Sequence, residues 1–121
     1  MHANGQIAIT TAANLDTDFE AEVDIVFVYS EAVLNQLPFE QFAWISTREE
    51  QIARFGNNID VLSFTIAAGY DQSEVALPER QGEAIAVMVF ASHADPVAEG
   101  IDITGESEIV LMVESWGISV E

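Results

Sequence analysis

Two stretches of this 121-residue chain gather residue types that do chemistry. Ser92-His93-Ala94-Asp95-Pro96 brings a hydroxyl, an imidazole and a carboxylate close together. A nucleophilic triad uses those three types, but it assembles them from distant segments so that the base faces the nucleophile. Neighbours in a turn before a proline do not face one another, so His93 reads as a loop histidine. The other histidine, His2, is terminal. The second stretch, Asp16-Thr17-Asp18-Phe19-Glu20-Ala21-Glu22, sets four acids at alternate positions, like the start of a calcium loop. An EF-hand loop needs Gly at its sixth position and Glu at its twelfth. Those positions hold Ala21 and Phe27. The run therefore reads as a solvated acidic turn or, because Phe19 is a lone aromatic in a polar setting, as a loop that contacts a partner.

Other chemistries find less to work with. Glycoside hydrolysis needs two carboxylates at a defined separation, and no spacing among the 21 acids singles out a pair. There is no Gly-rich phosphate loop. The absence of cysteine excludes disulfides, thiol catalysis and Cys zinc sites. No motif asks for a cofactor. Trp44 and Trp116 could stack on a sugar or a partner, but large aromatics are mostly buried, and both are expected in the core. A non-enzymatic binding protein is the expectation. An acid-based hydrolase would need a concave pocket holding two carboxyls.

Charge narrows the partners. Three basic residues against 21 acidic ones give a net charge of −18, with Arg48, Arg54 and Arg80 as the only cations. A nucleic-acid backbone requires clustered cations, so nucleic acid is excluded as a partner. An anionic membrane surface would repel the chain as well. Two readings of the acidity remain: a solvated surface suited to salt, or a negative face that steers a basic protein partner. No apolar run reaches the ~20 residues of a membrane-spanning helix.

The elements that must position these residues are mostly strands. Gln6 to Thr11 alternates with period two, like an edge strand. In Val23 to Ser30, the face Val23, Ile25, Phe27, Tyr29 and the face Asp24, Val26, Val28, Ser30 are both largely apolar. Such a strand is covered on both sides or packed in a sandwich. Pro38 suits the first position of a helix, with Phe39, Phe42, Ala43 and Ile45 on its apolar face. Thr47-Arg48-Glu49-Glu50 fits a capping box that starts a second turn of helix. Glu50 and Arg54 are spaced as an i, i+4 pair, Ile52 and Phe55 continue the apolar face, and Gly56 ends the helix. Residues 38–55 thus read as one broken helix or two short ones. Strands return at Ile59 to Ala68, Glu74 to Leu77, Glu83 to Ser92 and within Gly105 to Glu121. Short strands separated by Gly, Pro and Asn turns, with one helical insertion, describe a single mostly-β sandwich domain over residues 1–121. Residues 1–5 are expected to be a disordered or cloning-derived start.

The order of these elements resembles the outer-membrane lipoprotein of bacterial type VI secretion systems, the TssJ family. The resemblance is carried by "VDIVFVYS", then "LPFEQFAWISTREEQIARFG", "IDVLSFTIA", "EVALPE", "EAIAVMVFASHADP" and "ESEIVLMVESWGISVE". Tyr29, Phe39, Phe42, Pro78 and Phe90-Ala91 occupy places comparable to the family's pattern. The family's usual Pro-Gly turn is replaced here by Pro78-Glu79-Arg80-Gln81-Gly82. The resemblance implies a transthyretin-like β-sandwich with a short helical insertion after the second strand. It implies a non-enzymatic assembly protein on the periplasmic side of the outer membrane, held by a lipid anchor on a cysteine absent from this sequence. Its partner would be the periplasmic domain of an inner-membrane protein of the secretion complex. In the family the loop between the first two strands makes that contact. Here that loop is Asn14 to Glu22, and Asp16, Asp18 and Phe19 are the implied contact residues. The alternative left open by the residues themselves is a β-sandwich that binds calcium or carbohydrate through its acidic loops.

Overall fold

A computed structural model describes residues 5–106 and 108–121. The expectation for residues 1–4 lies outside the described residues. Among the described residues, seven strands form two sheets. Strands β1 (Gln6–Thr11), β6 (Glu108–Glu114) and β7 (Gly117–Val120) make one sheet in the order β1-β6-β7, with β1 parallel to β6. Strands β2 (Glu20–Val28), β3 (Ile59–Ala67), β4 (Ala86–Ala91) and β5 (Ile101–Asp102) make the other, in the order β3-β2-β4-β5, all antiparallel. The two helices, α1 (Glu31–Leu34) and α2 (Gln41–Phe55), lie between β2 and β3. The chain is therefore a mostly-β, transthyretin-like sandwich with a helical insertion after its second strand, as its sequence led one to expect.

The two apolar faces of β2 explain the layering. Val23, Ile25 and Phe27 face the other sheet and meet Ile7 and Ile9 of β1, Val87 and Val89 of β4, and Ile109, Leu111 and Val113 of β6. Leu62, Phe64 and Ile66 of β3 share that side. Val26 and Val28 face the opposite way and form a second core with Ile59, Met88 and Phe90 beneath Trp44 and Phe55 of α2. Each large side chain removed from water here contributes about 1.5–3 kcal/mol. Three layers result: sheet, sheet, helix.

The helical region departs from the expectation in instructive ways. Ser30 caps α1, its hydroxyl accepting from the Val33 amide. Pro38 lies in the link between the helices and does not open α2, which starts at Gln41. Thr47 caps nothing; its hydroxyl donates to the Ala43 carbonyl at 2.6 Å within a continuous helix. The expected apolar face is only partly the buried one: Phe55 is buried and Ile45 packs on the second core as expected, but Phe39, Phe42 and Ile52 are exposed, and Gln41 and Trp44 are inside. A tertiary interaction sets this rotation. Asp24, fully buried on β2, accepts from the Trp44 indole at 2.8 Å and from Arg48 at 3.1 Å, and Arg48 also pairs with Glu22. A buried carboxylate needs such partners, and they are available only if α2 presents Trp44 and Arg48 to the sheet. Burial of the guanidinium opposes its charge, but Asp24 and Glu22 hold its pKa above the ordinary arginine value. Trp44 then stacks on Phe90, ring centroids 5.3 Å apart.

The expected strand Glu74 to Leu77 is not a named strand. The segment still extends the first sheet: Gln72 and Ile9 exchange backbone hydrogen bonds, and the Val75 amide donates to Ile7. The hairpin β6–β7 turns through Ser115 and Trp116. Among the described residues, no helix is long and apolar enough to cross a membrane.

Candidate functional site

Strand directions collect four connections at one pole of the sandwich. β1 and β6 are parallel and both end there. β2 begins there, opposite the ends of β3 and β4, since Glu20 pairs with Ala67 and Val23 with Ala91. The pole thus holds the β1–β2 loop (residues 12–19), the β3 exit (68–71), the loop after β4 (92–100) and the β6–β7 turn. The start of α2 joins them, because the Gln41 and Phe42 amides donate to the carbonyls of Ala98 and Pro96 at 2.8 and 3.1 Å. Helix starts leave amides without partners. Here a loop from the far side of the chain supplies the acceptors that a capping side chain would otherwise provide. Gln41 reinforces the junction: buried, it donates to the Glu99 carbonyl and accepts from the Ala91 amide at 2.7 Å.

Gly100 makes the junction possible. A Cβ at that position would lie 2.5 Å from the Phe90 ring. Its amide donates to the Phe39 carbonyl at 2.6 Å. Only a residue without a side chain can bring the loop that close to the second core.

The residues singled out in the sequence sit at this pole, in different roles. Asp16 and Asp18 are exposed. Phe19 is half-buried, contrary to its exposed look in the sequence, because it packs on the core and meets the His93 ring edge-on at 5.3 Å. His93 uses Nε2 toward the carbonyls of Glu114 and Gly117, at 2.8 and 3.1 Å. Carbonyls only accept, so Nε2 carries the proton. Ser92 accepts from the Glu22 amide and Asp95 from the Val97 amide. Ser92, His93 and Asp95 therefore serve three separate backbone contacts and are not brought together as a triad. Among the described residues, no group of three or more His, Cys, Asp or Glu side chains is placed to hold a metal ion.

Sequence reasoning missed the most distinctive feature of the pole. Trp116, expected in the core, is 62% exposed, while Trp44 is fully buried. Phe42 is 62% and Val97 70% exposed at the same pole. A groove of about 170 Å³ runs between the loop after β4 and the turn, lined by Ala94, Asp95, Ala98, Glu99, Ile101 and Trp116 among others. Apolar anchors in a polar rim are the usual composition of a protein contact surface. One signal for Trp116 was present in the sequence: its place beside Gly117, between two strand patterns, puts it in a tight turn.

The same arrangement of sheets and helix occurs in solved structures. No family model and no curated protein matches this chain. The structure of Serratia marcescens Lip, a membrane-bound component of the type VI secretion system, is similar with a TM-score of 0.59 at 11% identity. That match covers 96% of this chain and 94% of Lip. The type VI secretion lipoprotein TssJ1 from Pseudomonas aeruginosa gives a TM-score of 0.59 at 13% identity, over 100% of this chain and 96% of TssJ1. Similarity at this identity is similarity of fold.

Proposed function

We propose that this chain is a TssJ-like lipoprotein that helps assemble the membrane complex of a type VI secretion system. One observation carries the reading. Two type VI lipoproteins match it end to end, with almost no residues left over on either side. In this reading the chain is not an enzyme and faces the periplasm from the outer membrane. It binds the periplasmic domain of an inner-membrane protein of the complex through the loop pole.

Topology supports that orientation. Gly5 precedes β1, and β1 runs toward the loop pole, so the N-terminal side lies at the opposite end. Six strand residues at about 3.3 Å each separate the two by roughly 20 Å. A tether on the N-terminal side would leave the loop pole pointing away from the membrane. Asp16 and Asp18 are exposed on that pole, and Phe19 roots their loop in the core. The net charge of −18 would steer a basic partner surface toward it.

The test is calorimetric titration with the periplasmic domain of the cognate inner-membrane protein. Asp16→Asn with Asp18→Asn should weaken binding several-fold and reduce its salt dependence, with an unchanged melting temperature. Unchanged affinity would remove the β1–β2 loop from the contact. A rise in melting temperature with millimolar calcium, by mass action on the folded state, would favour the calcium-binding alternative.

A further inference from the structure

The groove beside Trp116 has a chemistry of its own. Its walls are apolar where Ala94, Ala98 and Ile101 line it, and aromatic where the exposed indole of Trp116 stands. Asp95 and Glu99 line it too, and both are exposed. One Asp95 oxygen accepts from the Val97 amide. Among the described residues, no cation pairs with Asp95 or Glu99, and each arginine is engaged elsewhere. Arg48 is bound to Asp24 and Glu22. Arg54 lies over Phe55 and donates to Gln36. Arg80 lies over Tyr29 near Asp60. The pair is therefore open to a cation from a partner.

We propose that this groove receives an arginine side chain of a protein partner. The aliphatic stem lies along the apolar wall, as such stems do when their heads stay solvated. The guanidinium stacks on the Trp116 indole and faces the two carboxylates. Arginine suits the slot better than lysine, because its planar head both stacks and offers a fork of donors to a carboxylate. The turn that carries Trp116 is held from below by His93, and the opposite lip is held by Gln41 and Gly100. The slot is thus set on fixed supports. The inference deepens the assembly reading by naming the partner's chemistry, and it rests on that reading only for who the partner is.

The test needs no partner protein. The indole N–H resonances of Trp116 and Trp44 are followed by NMR in the whole chain while N-acetyl-arginine amide is added, with N-acetyl-norleucine amide as the uncharged control. The expected result is a saturable shift of the Trp116 resonance with the arginine probe, none at Trp44, and a much smaller response to the control. Asp95→Asn and Glu99→Gln should each weaken the arginine response by roughly two- to fivefold. Absence of a saturable Trp116 shift, or an equal response to both probes, would overturn the proposal. If the probe binds but the cognate periplasmic domain does not, the slot stands and the assembly reading fails. The Trp44 resonance reports that each variant is folded.

Discussion

The Phe19 ring meets the His93 imidazole edge-on, with centroids 5.3 Å apart and planes at 85°. The same imidazole donates to the carbonyls that frame the Trp116 turn. One side chain therefore ties the acidic β1–β2 loop to the β6–β7 turn, and both belong to one surface. His93→Ala should destabilise the fold by about 1–2 kcal/mol, as two partly buried carbonyls lose their imidazole donor and Phe19 loses its ring contact. It should also weaken partner binding beyond what the stability loss accounts for. Chemical denaturation alongside the calorimetric titration separates the two effects; unchanged affinity would mean that the turn holds its shape without His93.

Asp24 fixes how α2 lies on the sheet. Arg48→Met leaves a fully buried carboxylate with the neutral Trp44 indole as its remaining side-chain donor among the described residues. The expected loss is about 3 kcal/mol, the low end for breaking a buried pair, because Arg48 is itself partly solvated. Trp44→Phe removes the indole donor and should cost about 1–3 kcal/mol. Urea unfolding measures both, and a loss under 0.5 kcal/mol in Arg48→Met, roughly the scale of a surface substitution, would show that the pair does not hold the helix.

Gly100→Ala tests the junction between the loop after β4 and the second core. The added methyl would overlap the Phe90 ring. Overpacking of this kind costs about 1–3 kcal/mol. The Trp116 resonance should move as well, since the displaced loop forms one wall of its groove. A stable variant with an unmoved resonance would contradict the close approach.

Tyr29 gives a pH dependence at the alkaline end. Burial, then the hydrogen bond to Asp60 at 2.7 Å and the charge of that carboxylate, push the phenol above its ordinary value of 10, while Arg80 over the ring opposes them. The folded state thus holds the proton more tightly than the unfolded state. This contribution is fully present below pH 10 and is lost as pH rises from there toward the folded pKa. Melting temperatures against pH should fall above pH 10 in the wild type and fall less in Tyr29→Phe. Equal slopes would remove Tyr29 as the cause.

Much of the sandwich was legible because period-two alternation is a local property. Gln6–Thr11 forms the strand expected, although the segment 72–75 covers the edge it was expected to leave open, and both faces of β2 are covered as their composition required. The rotation of α2 was not legible. Phe42, and Phe39 just before the helix, look like its buried face, but the buried Asp24 dictates that Trp44 and Arg48 turn inward. That constraint acts over 20 residues and more. The start of α2 was misread for the same reason: its amides are capped by Pro96 and Ala98, which no local motif announces. The exposure of Trp116 follows from a turn that seats its neighbours on His93, again a long-range contact. β5 has two residues and too little sequence to carry a pattern.

In the proposed assembly role, the loop pole docks a basic protein partner. The most direct measurement is calorimetric titration of the whole chain with the periplasmic domain of its cognate type VI inner-membrane protein, at low and high salt, comparing wild type with Trp116→Ala. The expected result is 1:1 binding that weakens with salt and weakens at least about tenfold in Trp116→Ala, the scale of an aromatic hot spot, with the melting temperature unchanged. Binding of equal strength in both proteins, indifferent to salt, would place the contact elsewhere and contradict it.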